Sequence, residues 1–283
     1  MAQQASLELE SGSPALRAWW TPAALQRHPE RVLAPLLLVV TIAVWEKLPD
    51  LIAIPVFVLP KPSGVLGALI QGVQNGTLLA GLLVTFQESA AGFAIGSAAG
   101  MVIGALVAQY RLVERTIYPY IVAFQTLPKV AIAPLFVVWL GFGLTSKVLI
   151  AALVSFFPLL VNVIAGLHAV DRERVEMMRA FSASEWQIFR MLRFPNALPF
   201  VFAGLDLAAV FSVIGAVVGE FVGAQAGLGY LITAMNFRLD VSGMFAALVL
   251  LALLGLGFHL LVRLTYRLVV FWQPVEEEQV IGL

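Results

Sequence analysis

Residues 148–167 read VLIAALVSFFPLLVNVIAGL, and this stretch decides the fold class. Its 20 residues carry no charge and lie between Lys147 and His168. A helix that crosses the hydrocarbon layer needs about 20 predominantly apolar residues, because lipid offers no partner for exposed backbone groups. The stretch therefore predicts a membrane-spanning helix whose ends are marked by the flanking charges.

The same criterion, applied outward from this stretch, predicts an all-α integral membrane protein with about six transmembrane helices. The candidate spans are residues 32–45, 89–110, 116–146, 148–167, 194–237 and 241–262. The first is short, the third contains Lys129, and the fifth contains Asp206 and Glu220. Residues 221–237 could form either a seventh crossing or a packed external loop.

The composition excludes several classes of protein. Of the 283 residues, 60% are hydrophobic and 12% are charged, whereas a soluble domain has about 25% charged residues. The formal net charge is zero, so there is no overall positive charge to bind nucleic acid. The absence of cysteine excludes disulfides and thiolate-bound metals, and the three histidines are too scattered to form a metal site.

Lysine and arginine predict the orientation in the membrane. With the amino terminus in the cytoplasm, 12 of these residues fall on the inner side and 4 on the outer side, with Lys129 within the membrane. Both termini are then cytoplasmic. Residues 1–30 form a tail that either lies at the interface through Trp19 and Trp20 or is disordered, residues 31–272 form the transmembrane domain, and residues 273–283 form an acidic tail.

The longest polar stretch between the spans, residues 171–195, is the first candidate for a functional segment. Apolar residues recur there at helical spacing, and Ser182 and Ser184 interrupt the pattern just before Glu185. We expect a helix, a short break capped by serine, and a second helix. The alternative is a connecting loop that packs on its own membrane domain.

This segment resembles a motif of permease subunits from binding-protein-dependent ABC importers. The family pattern is Glu-Ala-Ala, three residues, Gly, nine residues, Ile, any residue, Leu-Pro. Glu176 and Pro195 match it in register, Leu192 and Phe194 are apolar equivalents, and Ser182 occupies the glycine position. Other matches, to the nitrate/sulfonate/taurine/bicarbonate group, are Leu59-Pro60-Lys61-Pro62, Gln125-Thr126-Leu127-Pro128-Lys129, Gly219-Glu220-Phe221-Val222-Gly223 and Gly227-Leu228-Gly229-Tyr230-Leu231.

The resemblance implies a permease that works as a homodimer in the bacterial inner membrane, with two ATP-binding subunits and an extracytoplasmic substrate-binding protein. The residues expected to couple it to the ATPase are Glu176, Met177, Met178, Arg179, Ser182, Ala183, Leu192, Phe194 and Pro195. The chain has no G-x-x-x-x-G-K-[ST] phosphate loop, so ATP and Mg²⁺ are expected in the partner subunit. We expect no cofactor in this chain and no enzyme activity.

Two sets of residues are candidates inside the membrane. Glycines that recur every four residues predict close helix packing: Gly92, Gly96, Gly100 and Gly104, then Gly215, Gly219, Gly223 and Gly227. Ionisable groups predict the translocation pathway: Glu88, Lys129, Asp206 and Glu220. We expect Lys129 to have a carboxylate partner, Glu220 before Glu88, although Glu88 could instead be solvated at the outer end of its span.

The substrate class and one alternative function also follow from these charges. Three carboxylates against one lysine argue against an anion. Within the group that the chain resembles, members that transport a nitrogen heterocycle or vitamin precursor therefore fit better than those that transport nitrate or sulfonate. The alternative is a proton-coupled secondary transporter that uses the membrane carboxylates, but the two halves show no inverted repeat.

Overall fold

The computed structural model describes residues 30–272, and this part of the chain is helical without strands. The all-α prediction is confirmed. The tails predicted over residues 1–29 and 273–283 lie outside the described residues. Residues 30–65 and 66–272 form two compact units.

The first unit contains helix α1 (Glu30–Leu51) and the start of α2 (Pro62–Gln74). Pro62 begins α2, a position where its missing N–H is not needed. The Lys61 ammonium donates to Asp50 at 2.8 Å, and this hydrogen bond raises the pKa of Lys61. The Ser63 hydroxyl donates to Glu46 at 2.7 Å, so charged side chains near the end of α1 bind both the residue before α2 and its first turn.

The second unit contains the end of α2 and nine further helices. These are α3 (Thr77–Gln109), α4 (Arg111–Thr126), α5 (Lys129–Leu140), α6 (Leu144–His168), α7 (Arg172–Ala180), α8 (Glu185–Ile188), α9 (Phe194–Gly223), α10 (Leu228–Phe237) and α11 (Val241–Val269). A π-helical turn, Phe189–Arg193, joins α8 to α9.

Four helices of the described chain are long and apolar enough to cross a membrane: α3, α6, the continuous helix Glu185–Gly223, and α11. The pair α4 and α5 would make a fifth span, bent by 90°. The first predicted span lies in α1, which carries Glu46, Lys47 and Asp50 near its end. The ten residues of α10 cover about 15 Å, half of the hydrocarbon thickness, so residues 221–237 contain no seventh crossing.

The bend between α4 and α5 has a local cause. Pro128 disfavours helical geometry at Leu127, whose ψ of 135° is extended, and α4 therefore ends at Thr126. Lys129 then starts α5 directly after the break.

The core of the second unit is formed by α6 packed along both α3 and α9. A Cβ atom added at Gly96 or Gly100 would overlap backbone atoms of Ala152 or Phe156 in α6. The glycine ladder of α3 therefore lies against α6, where the two backbones approach closely. In α9, Gly215 meets the backbone of Ala151 in the same way.

Candidate functional site

The polar segment forms two helices with a tight turn between them. Helix α7 ends at Ala180, and Ser184 begins α8 with a capping box in which its hydroxyl accepts from the Gln187 amide. The Gln187 side chain in turn accepts from the Ser184 amide at 2.7 Å. The predicted helix, serine-capped break and second helix are all present.

Ser182 lies in the turn with a φ of 59°, in the left-handed region. A side chain there costs roughly 1 kcal/mol, while glycine adopts the conformation freely. The geometry thus accounts for the glycine at this position of the motif. An ion pair, Arg179 to Glu185 at 2.8 Å, holds the two helices together across the turn.

The segment presents exposed apolar side chains to solvent. Met177, Phe181 and Trp186 are 56%, 81% and 67% exposed. We call these three residues the apolar ridge. Ile188 is fully buried and anchors α8 to the rest of the molecule.

The other predicted coupling residues lie around the apolar ridge in two environments. Exposed residues are Glu176, Arg179, Ser182 and Phe194, and half-buried residues are Met178, Ala183, Leu192 and Pro195. A polar cavity of about 820 Å³, lined by residues such as Gln109, His168, Glu176 and Arg193, separates α7 from the ends of α3 and α6. Helix α7 therefore stands apart from the ends of α3 and α6, while Ile188 anchors α8.

A buried polar cluster, formed by Thr85, Glu88, Lys147 and Glu220, lies at the other end of α9. The Glu220 carboxylate is 2% exposed and accepts hydrogen bonds from the Thr85 hydroxyl at 2.7 Å and from the Gly229 and Tyr230 amides. Since these amides belong to the first turn of α10, Glu220 caps that helix. Thr85 also accepts from the Leu228 amide at 2.8 Å.

Lys147 completes the cluster from the start of α6. Its ammonium donates to the carbonyls of Phe142 and Gly223 and lies close enough to Glu88 and Glu220 to attract both carboxylates. The cluster thereby joins the loop after α5 and the ends of α3, α6, α9 and α10. Sequence reasoning missed Lys147 because, in the sequence, this residue only marks the edge of a span. Its contact with Gly223 joins two residues that are 76 positions apart in the chain.

Glu88 is buried beside Glu220, so the solvated position considered for it was wrong. One oxygen of the Glu88 carboxylate is buried without a hydrogen-bond partner among the described residues. The uncharged run that predicted this span begins at residue 89, directly after Glu88. The helix α3 itself begins 11 residues before Glu88, so Glu88 lies inside the helix and not at its end.

The predicted pairing of Lys129 with Glu220 or Glu88 was wrong. The ammonium of Lys129 donates to the carbonyl of Gln125 at 3.1 Å and lies 4.9 Å from the centre of the Phe157 ring. Lys147 takes the expected place beside the carboxylates. The proposed place of Lys129 in the pathway stays a prediction.

Asp206 lies in neither of these sites. Its carboxylate is 2.6 Å from Nδ1 of His259 in α11. Among residues 30–272, no group of three or more potential metal-binding side chains was found.

Known proteins resemble the chain over most of its length. The family described as binding-protein-dependent transport system inner membrane component matches residues 96–270. A riboflavin transport system permease protein from Chloroflexus aurantiacus is 36% identical, over 95% of this chain and 99% of its own. A formylaminopyrimidine transport permease protein from Halalkalibacterium halodurans is 34% identical, over 85% of this chain and 96% of its own.

Two further similarities concern a more distant relative and the fold. A putative aliphatic sulfonates transport permease protein from Bacillus subtilis is 30% identical, over 84% of this chain and 86% of its own. The inward-facing structure of the MetNI methionine ABC transporter has a chain with a TM-score of 0.61 at 21% identity, covering 69% of this chain and 97% of that chain. The relatives are named as transport permeases and not as enzymes, as the sequence predicts. The chain belongs to the family of binding-protein-dependent transport system inner membrane components and is a multi-pass ABC permease subunit.

Proposed function

We propose that this permease forms a homodimer and couples transport to two ATP-binding subunits through the segment at residues 171–195. The apolar ridge is the observation that carries the proposal. Large apolar side chains held in solvent by a capped and ion-paired turn are typical of a protein interface. The continuous helix Glu185–Gly223 links this surface directly to the membrane core.

Two phenylalanines of equal exposure provide a matched test. Phe181 is 81% exposed in the apolar ridge, and Phe237 is 83% exposed at the end of α10. Phe181→Ala should reduce co-purification of the ATP-binding subunit and ATP-driven uptake, while Phe237→Ala should leave co-purification unchanged. Equal co-purification of the ATP-binding subunit with both variants would refute the coupling role and indicate that residues 171–195 are only a connecting loop.

The proposed topology places both termini and residues 171–195 in the cytoplasm, with α1 and the bent α4–α5 pair each crossing once. Since the chain contains no cysteine, single cysteines can be introduced and labelled without background. A cysteine at Met177 should react with a membrane-impermeant maleimide only in opened cells, and one at Phe237 also in intact spheroplasts. The reverse pattern would invert the topology.

The proposed substrate is a small nitrogen heterocycle, delivered by an extracytoplasmic binding protein. Two relatives that are 36% and 34% identical are named for riboflavin and for a formylaminopyrimidine, both of which are nitrogen heterocycles. The charge argument alone is weaker than the sequence suggested, because Lys147 reduces the excess of membrane carboxylates over lysines from two to one.

Uptake by proteoliposomes that contain the complete transporter tests both the substrate class and the energy source. Riboflavin or a formylaminopyrimidine should be taken up only with ATP inside, and an aliphatic sulfonate should not compete. Uptake driven by a pH gradient without ATP would instead support the proton-coupled carrier.

A further inference from the structure

A pair of ionisable side chains lies deep in the membrane-spanning part, away from the buried polar cluster. Asp206 is 12 residues, or about 18 Å, from the start of α9, and His259 is 10 residues, or about 15 Å, before the end of α11. Both side chains are 37% exposed in the single chain. Ionisable groups at such depth almost always face a cavity or a polar pathway because contact with lipid is costly.

A cavity of about 610 Å³, open to the surface of the single chain, lies between α9 and α11, and His259 borders it. The rest of the lining is aliphatic or aromatic, with Val210, Ile214 and Phe221 on one side and Leu251 and Leu256 on the other. An apolar cavity of this size with one oriented polar group is typical of a small-molecule site. The flat, apolar faces of a heteroaromatic ring would suit its walls.

Asp206 fixes the orientation of the histidine ring. Its carboxylate lies 2.6 Å from Nδ1, as expected for the tautomer with its proton on Nδ1. In that tautomer Nε2 is the hydrogen-bond acceptor. Nε2 has no hydrogen-bond partner among residues 30–272. A ring N–H or amino group of a heterocycle would supply the missing donor.

A second cavity, between α3 and α11, provides a comparison within the same protein. Its volume is about 770 Å³, and its lining consists of leucine, phenylalanine and glycine. With no polar group to orient a ligand, it suits an acyl chain better than a heterocycle. Size and apolarity therefore do not distinguish the α9–α11 cavity from the α3–α11 cavity. The feature that distinguishes it is the Asp206–His259 pair.

We propose that the α9–α11 cavity binds the transported heterocycle, with His259 in contact with the ring and Asp206 as the residue that positions His259. This inference rests on the proposed function, because it assumes that the substrate is a nitrogen heterocycle. It assigns the substrate contact to α9 and α11 and gives the buried polar cluster a separate, structural role.

Two glycines in α11 allow either cavity to be filled without disturbing the fold. Gly255 borders the α9–α11 cavity and Gly257 borders the α3–α11 cavity. A Cβ atom added at either position meets no atom within 4 Å. Gly→Leu also favours the helix. Gly255→Leu and Gly257→Leu are therefore matched variants that fill different cavities.

Uptake of riboflavin, the probe, is measured in proteoliposomes that contain the complete transporter. Gly255→Leu should lower uptake at least about tenfold, with Gly255→Ala in between, while Gly257→Leu should stay within about twofold of wild type. His259→Gln and Asp206→Asn should each raise KM about 3- to 10-fold with little change in maximal rate, as expected for one lost substrate hydrogen bond.

The outcomes separate this inference from the proposed function. Loss of uptake in both glycine variants, or in neither, while the wild type transports riboflavin would overturn the cavity assignment alone. A fall in maximal rate with unchanged KM in Asp206→Asn would do the same. A wild-type transporter that takes up sulfonate but not riboflavin or a formylaminopyrimidine would overturn the substrate class and this inference together.

Discussion

Removing the carboxylate of Glu220 should destabilise the permease far more than removing its charge. Glu220→Ala leaves the Gly229 amide and the Tyr230 amide without their acceptor. A buried donor left unsatisfied costs about 1–3 kcal/mol, so the two together cost about 2–6 kcal/mol. In Glu220→Gln the side-chain oxygen can still accept from α10, and the amide group can face Thr85, whose hydroxyl also reaches the carbonyl of Gly81 at 3.1 Å. The expected cost of this variant is about 1 kcal/mol or less.

Thermal unfolding of the detergent-solubilised chain, followed by size-exclusion chromatography after heating, gives the order of stability. The wild type and Glu220→Gln should unfold close together, and Glu220→Ala clearly below them. Glu173→Ala, a change of the same type on the exposed surface of α7, serves as the control and should stay near the wild type. Equal unfolding temperatures for Glu220→Ala and Glu173→Ala would refute the capping role of Glu220.

Three further predictions concern single positions. Ser182→Gly should raise the free energy of unfolding by about 1 kcal/mol, because φ is 59° at this position. Ser182→Val should lower both this free energy and the co-purification of the ATP-binding subunit. The same effect from both variants would contradict the left-handed turn. Gly227→Ala should abolish folded protein in the membrane, measured as monodisperse yield, since φ is 111° and the added Cβ would overlap the Glu220 carboxylate. Lys147→Met should lower the unfolding temperature more than Lys129→Met. Of these two lysines, only Lys147 bridges two segments, the loop after α5 and the end of α9, through the carbonyls of Phe142 and Gly223. The opposite order would reject that role.

Local patterns in the sequence predicted the helices, including the two short helices and the break within residues 171–195. The spans follow from uncharged runs, and the break between α7 and α8 follows from Ser184 and the residues near it, because these features depend on neighbours along the chain. The contacts of Lys147 with Gly223 and of Thr85 with Glu220 connect residues 76 and 135 positions apart. No local pattern specifies which helices approach each other, so the partner of the carboxylates was assigned to Lys129 instead.

The burial of Glu88 and the choice between a loop and a crossing for residues 221–237 could not be settled from local patterns, for a related reason. Residues 77–87 are almost as apolar as residues 89–110, so the helix runs through Glu88, and only the packing of α3 against α6 and α9 shows that this face is buried. The segment after α9 is as apolar as a membrane span. A new helix, α10, starts there with its first turn capped by Glu220, and this helix has only ten residues.

The contact with α6 divides the continuous helix Glu185–Gly223 into two arms of unequal length. Its contact with α6 runs from about Ala197 to Gly219, with the fully buried Ala208 at the centre. From Ala208 the distance is about 33 Å to Trp186 and about 18 Å to Glu220. Rocking about that centre would thus convert 2 Å of travel at Trp186, taken as roughly the scale of a helix shift at a subunit interface, into about 1 Å at Glu220. A displacement of that size along the 2.7 Å bond to Thr85 would lengthen it beyond hydrogen-bonding distance.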